Sequence, residues 1–139
     1  MKILVAFDGS TQALSALETF VGKFGVLRDA PRLTLIHVHL PVPHNAAAVW
    51  VGKEVIDRYY EEESDAALAP AIGLLSARGI PFAVEKRVGN PAEEIVRHAT
   101  AGEFDLIAIG THGHTALANL VMGSVATRVV ATSTVRCYF

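Results

Sequence analysis

The sequence predicts an α/β fold: one domain over residues 1–139, built on an open, parallel, five-stranded sheet with helices on both faces. Three observations predict it. Short apolar runs alternate with longer amphipathic stretches along the whole chain. Three of the runs are almost continuously apolar, as strands covered on both faces are. A glycine-rich loop follows the fourth run and leads into a further helical stretch. Alternating β and α elements give parallel strands joined by right-handed crossovers.

The elements follow in order. Ile3–Phe7 is the first strand, and Asp8-Gly9-Ser10 turns the chain into a helix over Ser10–Phe24. Ser10 is its N-cap, and Leu14, Leu17 and Val21 recur on one face. Gly25 stands where a C′ glycine would end it. Leu33–Val38 is the second strand. A long helix over Val49–Ala77 comes next, closed by Gly79. Trp50, Tyr59 and Tyr60 beside Glu61, Glu62 and Glu63 give that helix one packed and one solvated face. Phe82–Val88 carries Glu85, Lys86 and Arg87, which predicts an edge strand. Asn90 caps the helix over Ala92–Ala101 and Pro91 fills its first position, with Ile95, Val96 and Ala99 turned inward. Leu106–Ile109 is the fourth strand. A helix over Ser124–Ala131, with Ser124 as its N-cap, and a weaker strand over Val135–Phe139 complete the chain.

Composition narrows the function classes. Apolar residues make up 51 % of the chain and charged residues 19 %, which is globular rather than disordered. A formal charge of −2 gives no reason to expect nucleic acid or an anionic membrane as a partner. No apolar run approaches the roughly 18 residues that span a bilayer. The N-terminus lacks a secretory pattern and Cys137 has no second cysteine to pair with, so the expected location is the cytoplasm.

The loop Gly110-Thr-His-Gly-His-Thr-Ala-Leu-Ala-Asn-Leu-Val-Met-Gly-Ser124 carries the chemistry. Gly110, Gly113 and Gly123 let backbone approach a ligand where a Cβ would clash. A helix starting at Ser124 presents free N–H groups and a positive dipole end, which together favour an anion. Neither GxxxxGK[ST] nor GxGxxG is present, so this is no P-loop or dinucleotide fingerprint. Asp8 admits three readings: a nucleotide or metal contact, a turn residue before Gly9, or a phosphoacceptor, which would ordinarily have a second acid beside it. His37 and His39 share one strand face and His112 and His114 share the loop, but i, i+2 pairs lack structural-zinc spacing. His98 reads as a surface residue. No Ser–His–Asp arrangement is recognisable from spacing, and a cap serine explains Ser124 more simply than a nucleophile.

Gly110, Gly113, Gly123 and Ser124 together spell G-x2-G-x9-G-[ST]. With Lys2-Ile-Leu-Val-Ala-Phe-Asp-Gly-Ser10, Leu35-Ile-His-Val38 and Val88-Gly-Asn-Pro91, they make the chain resemble the ATP-binding branch of the universal stress protein family along its whole length. The resemblance implies strand order 3-2-1-4-5, which places the reversal between the first and fourth strands and brings Asp8-Gly9-Ser10 beside Gly110–Gly113. It implies a regulatory ATP-binding protein with little or no turnover, the triphosphate carrying Mg2+ or Mn2+. Ala6, Phe7 and Asp8 would border the adenosine and main-chain groups of Val38 would read the adenine edge. Gly110, Gly113, His114, Gly123, Ser124 and Val125 would surround ribose and phosphates, with Ala126 where a hydroxyl is frequent. A homodimer through Val135–Phe139 is the further implication. The alternatives are a nucleotide-free interaction module, as in the family's other branch, and a slow ATPase or autokinase.

Overall fold

β1, Lys2–Ala6, lies in the middle of the sheet and is buried on both sides. The computed structural model describes residues 1–24, 30–42, 52–110 and 123–138. Along them follow α1 (Thr11–Val21), β2 (Arg32–His39), α2 (Lys53–Ala77), β3 (Phe82–Val88), α3 (Pro91–Ala101), β4 (Leu106–Ile109), α4 (Ser124–Thr132) and β5 (Arg136–Tyr138). The strands are ordered β3-β2-β1-β4-β5, and every neighbouring pair is parallel. Leu4 of β1 sits level with Thr34 of β2 and Ile107 of β4.

Successive side chains of a strand leave by opposite faces, and each face here has its own core. Ile3 and Val5 join Leu35, Leu17, Leu68 and Leu75 under α1 and α2. Leu4 joins Ile36, Ile107, Ile95 and Val129 under α3 and α4. Nearly continuous apolar sequence in β1, β2 and β4 has this cause. β3 is an edge strand, as its charges predict, and Val84 and Val88 stay partly exposed on it.

Local signals set most boundaries. The Ser10 hydroxyl accepts from the Ala13 N–H at 3.0 Å and the Asn90 side chain from the Glu93 N–H at 3.1 Å, so both helices start at side-chain caps. α2 ends in a Schellman motif: Gly79, at φ +66°, donates to the Ser76 carbonyl and Ile80 to that of Leu75. α3 ends with the same pair of bonds around Glu103, which holds φ +53° without being glycine.

Several boundaries differ from the expectations. α1 stops at Val21 rather than Phe24, because Gly22 caps it; Phe24 instead packs edge-on against Phe20 at 5.1 Å. α2 starts at Lys53, since Gly52 at φ +82° and ψ 157° is not helical; residues 49–51, like Gly25, lie outside the described residues. Ser124 is not the N-cap of α4. Gly123 occupies that position with extended backbone, Ser124 is the first helical residue, and no side chain caps the helix. β5 is Arg136–Tyr138, shorter than Val135–Phe139, and Phe139 is outside the described residues. α2 runs through Pro70, which is solvent-facing and costs the helix a single N–H donor there.

Two contacts tie α2 to the sheet. Gly9, at φ +88°, lies so close to α2 that a Cβ on it would come within 3.1 Å of the Ala67 Cα and Cβ. Lys86 of β3 reaches across to Glu61, at 2.6 Å, and to Asp65. Asp65 and then Glu61 hold the Lys86 ammonium above its ordinary pKa of 10.5, because both carboxylates hydrogen-bond its charged form.

Gly9→Ala combines a disfavoured backbone conformation with a crowded Cβ and is expected to cost about 1–3 kcal/mol of stability in denaturant titration. Lys86→Met is expected to cost about 0.5–1 kcal/mol at neutral pH, because the network is partly solvated. A raised lysine pKa contributes its stability fully below the unfolded value and loses it as pH rises through the folded one. The difference between wild type and Lys86→Met should therefore be constant through neutrality and close above pH 10.5, as followed by thermal melts.

Candidate functional site

The order of the sheet reverses at β1: β2 flanks it on one side and β4 on the other. In a sheet of this kind a crevice opens beyond the carboxyl ends of the strands at the reversal. The crevice holds a cleft of about 220 Å³. Ala6 and Phe7, then Ile36, His37 and Val38, then Ile109, form its floor from β1, β2 and β4. Ala13 of α1 makes one wall, and Pro91 and Ile95 of α3 make the opposite one. Gly110 and Gly123 to Ala126 close the far end.

The polar groups of this cleft sort by direction. At the β1 end, Asp8 Oδ1 accepts from the Ser10 N–H at 2.9 Å, so Asp8 forms the turn and lines the cleft at once. Its other carboxylate oxygen has no partner among the described residues, and it is the only acid among the described lining residues, without the companion expected of a phosphoacceptor. His37 is buried and its Nδ1 lies 2.9 Å from the Phe7 carbonyl. Both groups offer lone pairs.

The far end offers donors. Gly123 presents its carbonyl to the Thr127 N–H and hydroxyl, each at 3.0 Å, and these close the first turn of α4. The N–H groups of Ser124, Val125 and Ala126 precede the first intrahelical bond of that kind. The helix adds a partial positive charge of roughly half a unit at this end. At Gly110 a Cβ would meet nothing within 4 Å among the described residues.

Eight of the residues singled out from the sequence line this one cleft: Ala6, Phe7, Asp8, Val38, Gly110, Gly123, Ser124 and Val125. Gly113, His112 and His114 lie outside the described residues. Ser10, Ala13, Ile95 and above all His37 also line the cleft without having been singled out for it. The signal for His37 was a polar residue inside an apolar strand, weighed only as a metal ligand. Its ring lies 6.4 Å from that of His39, whose Nδ1 instead bonds the Leu40 carbonyl at 2.6 Å. Among the described residues no group of three side chains could hold a metal ion, and no helix is long and apolar enough to cross a membrane. His98, expected at the surface, is half-buried, with its ring packed 5.5 Å from that of Phe104.

Known proteins share both sequence and fold. Residues 1–138 match the model of the Universal stress protein family. Over 132 residues the chain is 31 % identical to Universal stress protein MJ0531 of Methanocaldococcus jannaschii, covering 93 % of this chain and 75 % of that protein. Over 129 residues it is 32 % identical to Universal stress protein Slr1230 of Synechocystis, covering 93 % of this chain but 38 % of that longer protein. The solved structure of UspA from Lactobacillus plantarum matches with a TM-score of 0.76 at 25 % identity, over 99 % of this chain and 95 % of that one. The fold is shared with an Arabidopsis thaliana family member solved with AMP bound, at TM-score 0.67 and 16 % identity over 99 % and 89 % of the two chains. It is shared too with a universal stress protein in complex with cAMP, at TM-score 0.59 and 22 % identity over 100 % and 94 %. This chain belongs to the Universal stress protein family.

Proposed function

We propose that the protein binds ATP in the cleft between Asp8 and Gly123-Ser124, as a regulatory protein with little or no turnover. One observation carries the reading: acceptors gather at the β1–β2 end of the cleft and the first-turn N–H groups of α4, which precede its intrahelical bonds, stand at the other. A nucleotide has the complementary polarity, with amino and hydroxyl donors at one end and anionic oxygens at the other. Ala6, Ile36, Val38 and Ile95 supply apolar surface for a flat base. The relatives solved with AMP and with cAMP support an adenine nucleotide. Ala6, Phe7, Asp8 and Val38 would border adenosine. Gly110, Gly113, His114, Gly123, Ser124 and Val125 would surround ribose and phosphates.

The phosphates would be held by backbone rather than by a lysine. No lysine or arginine is among the described lining residues, and hydrogen bonds to charged oxygens contribute about 1.5–3 kcal/mol each. Several of them reach micromolar affinity. One lining carboxylate suits a divalent ion carried by the phosphates better than one ligated by protein. The same lining leaves the γ-phosphate without the fixed cations and nucleophile-positioning group that fast phosphoryl transfer uses.

Protein purified without added nucleotide is expected to carry adenine nucleotide in native mass spectrometry. Calorimetry should give micromolar ATP binding that requires Mg2+ or Mn2+. Gly123→Val, which puts a branched side chain at the α4 N-cap, should abolish binding without unfolding the protein. Unchanged titrations in folded Gly123→Val would exclude this site, and turnover above about 1 s⁻¹ would exclude the regulatory role.

The reading includes a homodimer through the C-terminal strand. Among the described residues β5 pairs only with β4, at the margin of the sheet, and isologous pairing is the commonest way to close such an edge. Sedimentation at tens of micromolar should show a dimer that becomes a monomer when residues 136–139 are removed.

A further inference from the structure

Hydrogen bonds fix the turn that carries Asp8 into the cleft along the direction of the chain. Before it, the Phe7 N–H donates to the Ile36 carbonyl at 3.0 Å. Within it, Asp8 Oδ1 accepts from the Ser10 N–H at 2.9 Å. After it, the Ser10 hydroxyl caps α1 by accepting from the Ala13 N–H at 3.0 Å. Against α2 the turn is held by contact instead, because Gly9 has no side chain and its backbone meets the helix directly. A Cβ on Gly9 would lie 3.1 Å from the Cα and Cβ of Ala67 and 3.2 Å from its carbonyl oxygen. Between Gly9 and the Ala67 methyl there is thus too little space for an added carbon, whichever residue supplies it.

What such a contact does depends on which partner yields. α2 is anchored on either side of Ala67: Ser64 and Ala71, one turn before and one turn after, are buried, and Leu68 and Leu75 are buried completely. Lys86 also reaches Glu61 and Asp65 on the same helix. The turn has no such anchorage, since Asp8 is exposed and Gly9 and Ser10 are half-buried. A close-packed core resists displacement more than a short turn at its rim does. Extra volume at position 67 therefore moves the turn, and with it Asp8 and Ser10, which line the cleft. Ala67 itself is not among the described lining residues. Resting on the nucleotide reading of the cleft, we infer that Ala67 is a positioning residue, the size of its side chain setting where the Asp8 carboxylate stands against bound nucleotide. Hydrogen bonds to a carboxylate are short and strong, and a displaced acceptor forfeits them.

The test is calorimetry of ATP with Mg2+ on the intact protein well below its melting temperature. There the folded protein alone is read, so a side chain that serves stability only leaves the affinity unchanged. Ala67→Val adds methyl groups that a β-branched helical residue cannot swing aside, and it is expected to weaken ATP binding about tenfold. Ala67→Ser, of nearly the same size, should stay within about twofold of wild type. Ala71→Val overpacks the same helix one turn further on, inside the core. It should lower the melting temperature and leave ATP affinity within about twofold of wild type. Wild-type affinity in folded Ala67→Val would overturn the inference. So would an Ala71→Val protein that weakens ATP as much, because the effect would then belong to α2 as a whole. If Ala67→Val does not fold, Ala67→Gly decides: it loosens the contact and should weaken ATP about threefold, and an unchanged affinity would refute the role. A wild type that binds no ATP refutes the nucleotide reading itself, a result distinct from wild type and variants binding ATP alike.

Discussion

Burial of β1 on both faces is the constraint on which the rest of the molecule depends. Ile3 and Val5 need cover from α1 and α2, and Leu4 needs it from α3 and α4. Ile3, Leu4 and Val5 are thereby committed to packing, at about 25 cal/mol per Å² of apolar surface removed from water. Polar chemistry can begin only where the strand ends, and it does so with Asp8, two residues beyond Ala6. β2 and β4 lie on opposite flanks of β1, so the order of the sheet reverses there. The cleft is the gap left by a strand that must be covered twice.

The edge of that gap is stitched by short-range hydrogen bonds. His37 holds the Phe7 carbonyl, Asp8 holds the Ser10 N–H and Ser10 holds the Ala13 N–H. Strand end, turn and helix start are thus each held by a side chain that satisfies a backbone group. Gly9, pressed against Ala67, sets how close this turn sits to α2. At the other end of the cleft α4 begins, among the described residues, without a side-chain cap.

Much of this was legible in the sequence. Unbroken apolar runs located β1, β2 and β4 because a strand buried on both faces leaves no room for alternation, and the charged run from Glu85 to Arg87 marked β3 as an edge. Ser10, Asn90 and Gly79 announced helix ends because capping is decided within a few residues. Spacing failed where two residues could play one part: a serine preceded by glycine looks like a cap, yet Gly123 takes the extended position and Ser124 enters the helix. It failed again at Gly52, whose positive φ delays α2 and has no signature in hydrophobic periodicity. The place of His37 at the cleft could not be read at all, since it depends on the Phe7 carbonyl, thirty positions away in the chain and brought close by the pairing of β1 with β2.

The clamp from Lys86 to Glu61 and Asp65 has a bearing on how the protein behaves in a crowd of its own copies. An unpaired strand edge is a template for growth, and flat apolar edges recruit other chains into aggregates. On β3 the template is defended twice. Lys86 is held on one face by α2, and Glu85 and Arg87 pair with each other on the opposite one at 2.7 Å. A foreign strand joining there would have to strip water from three successive charges. The charges of β3 thus oppose uncontrolled extension of the sheet at that margin.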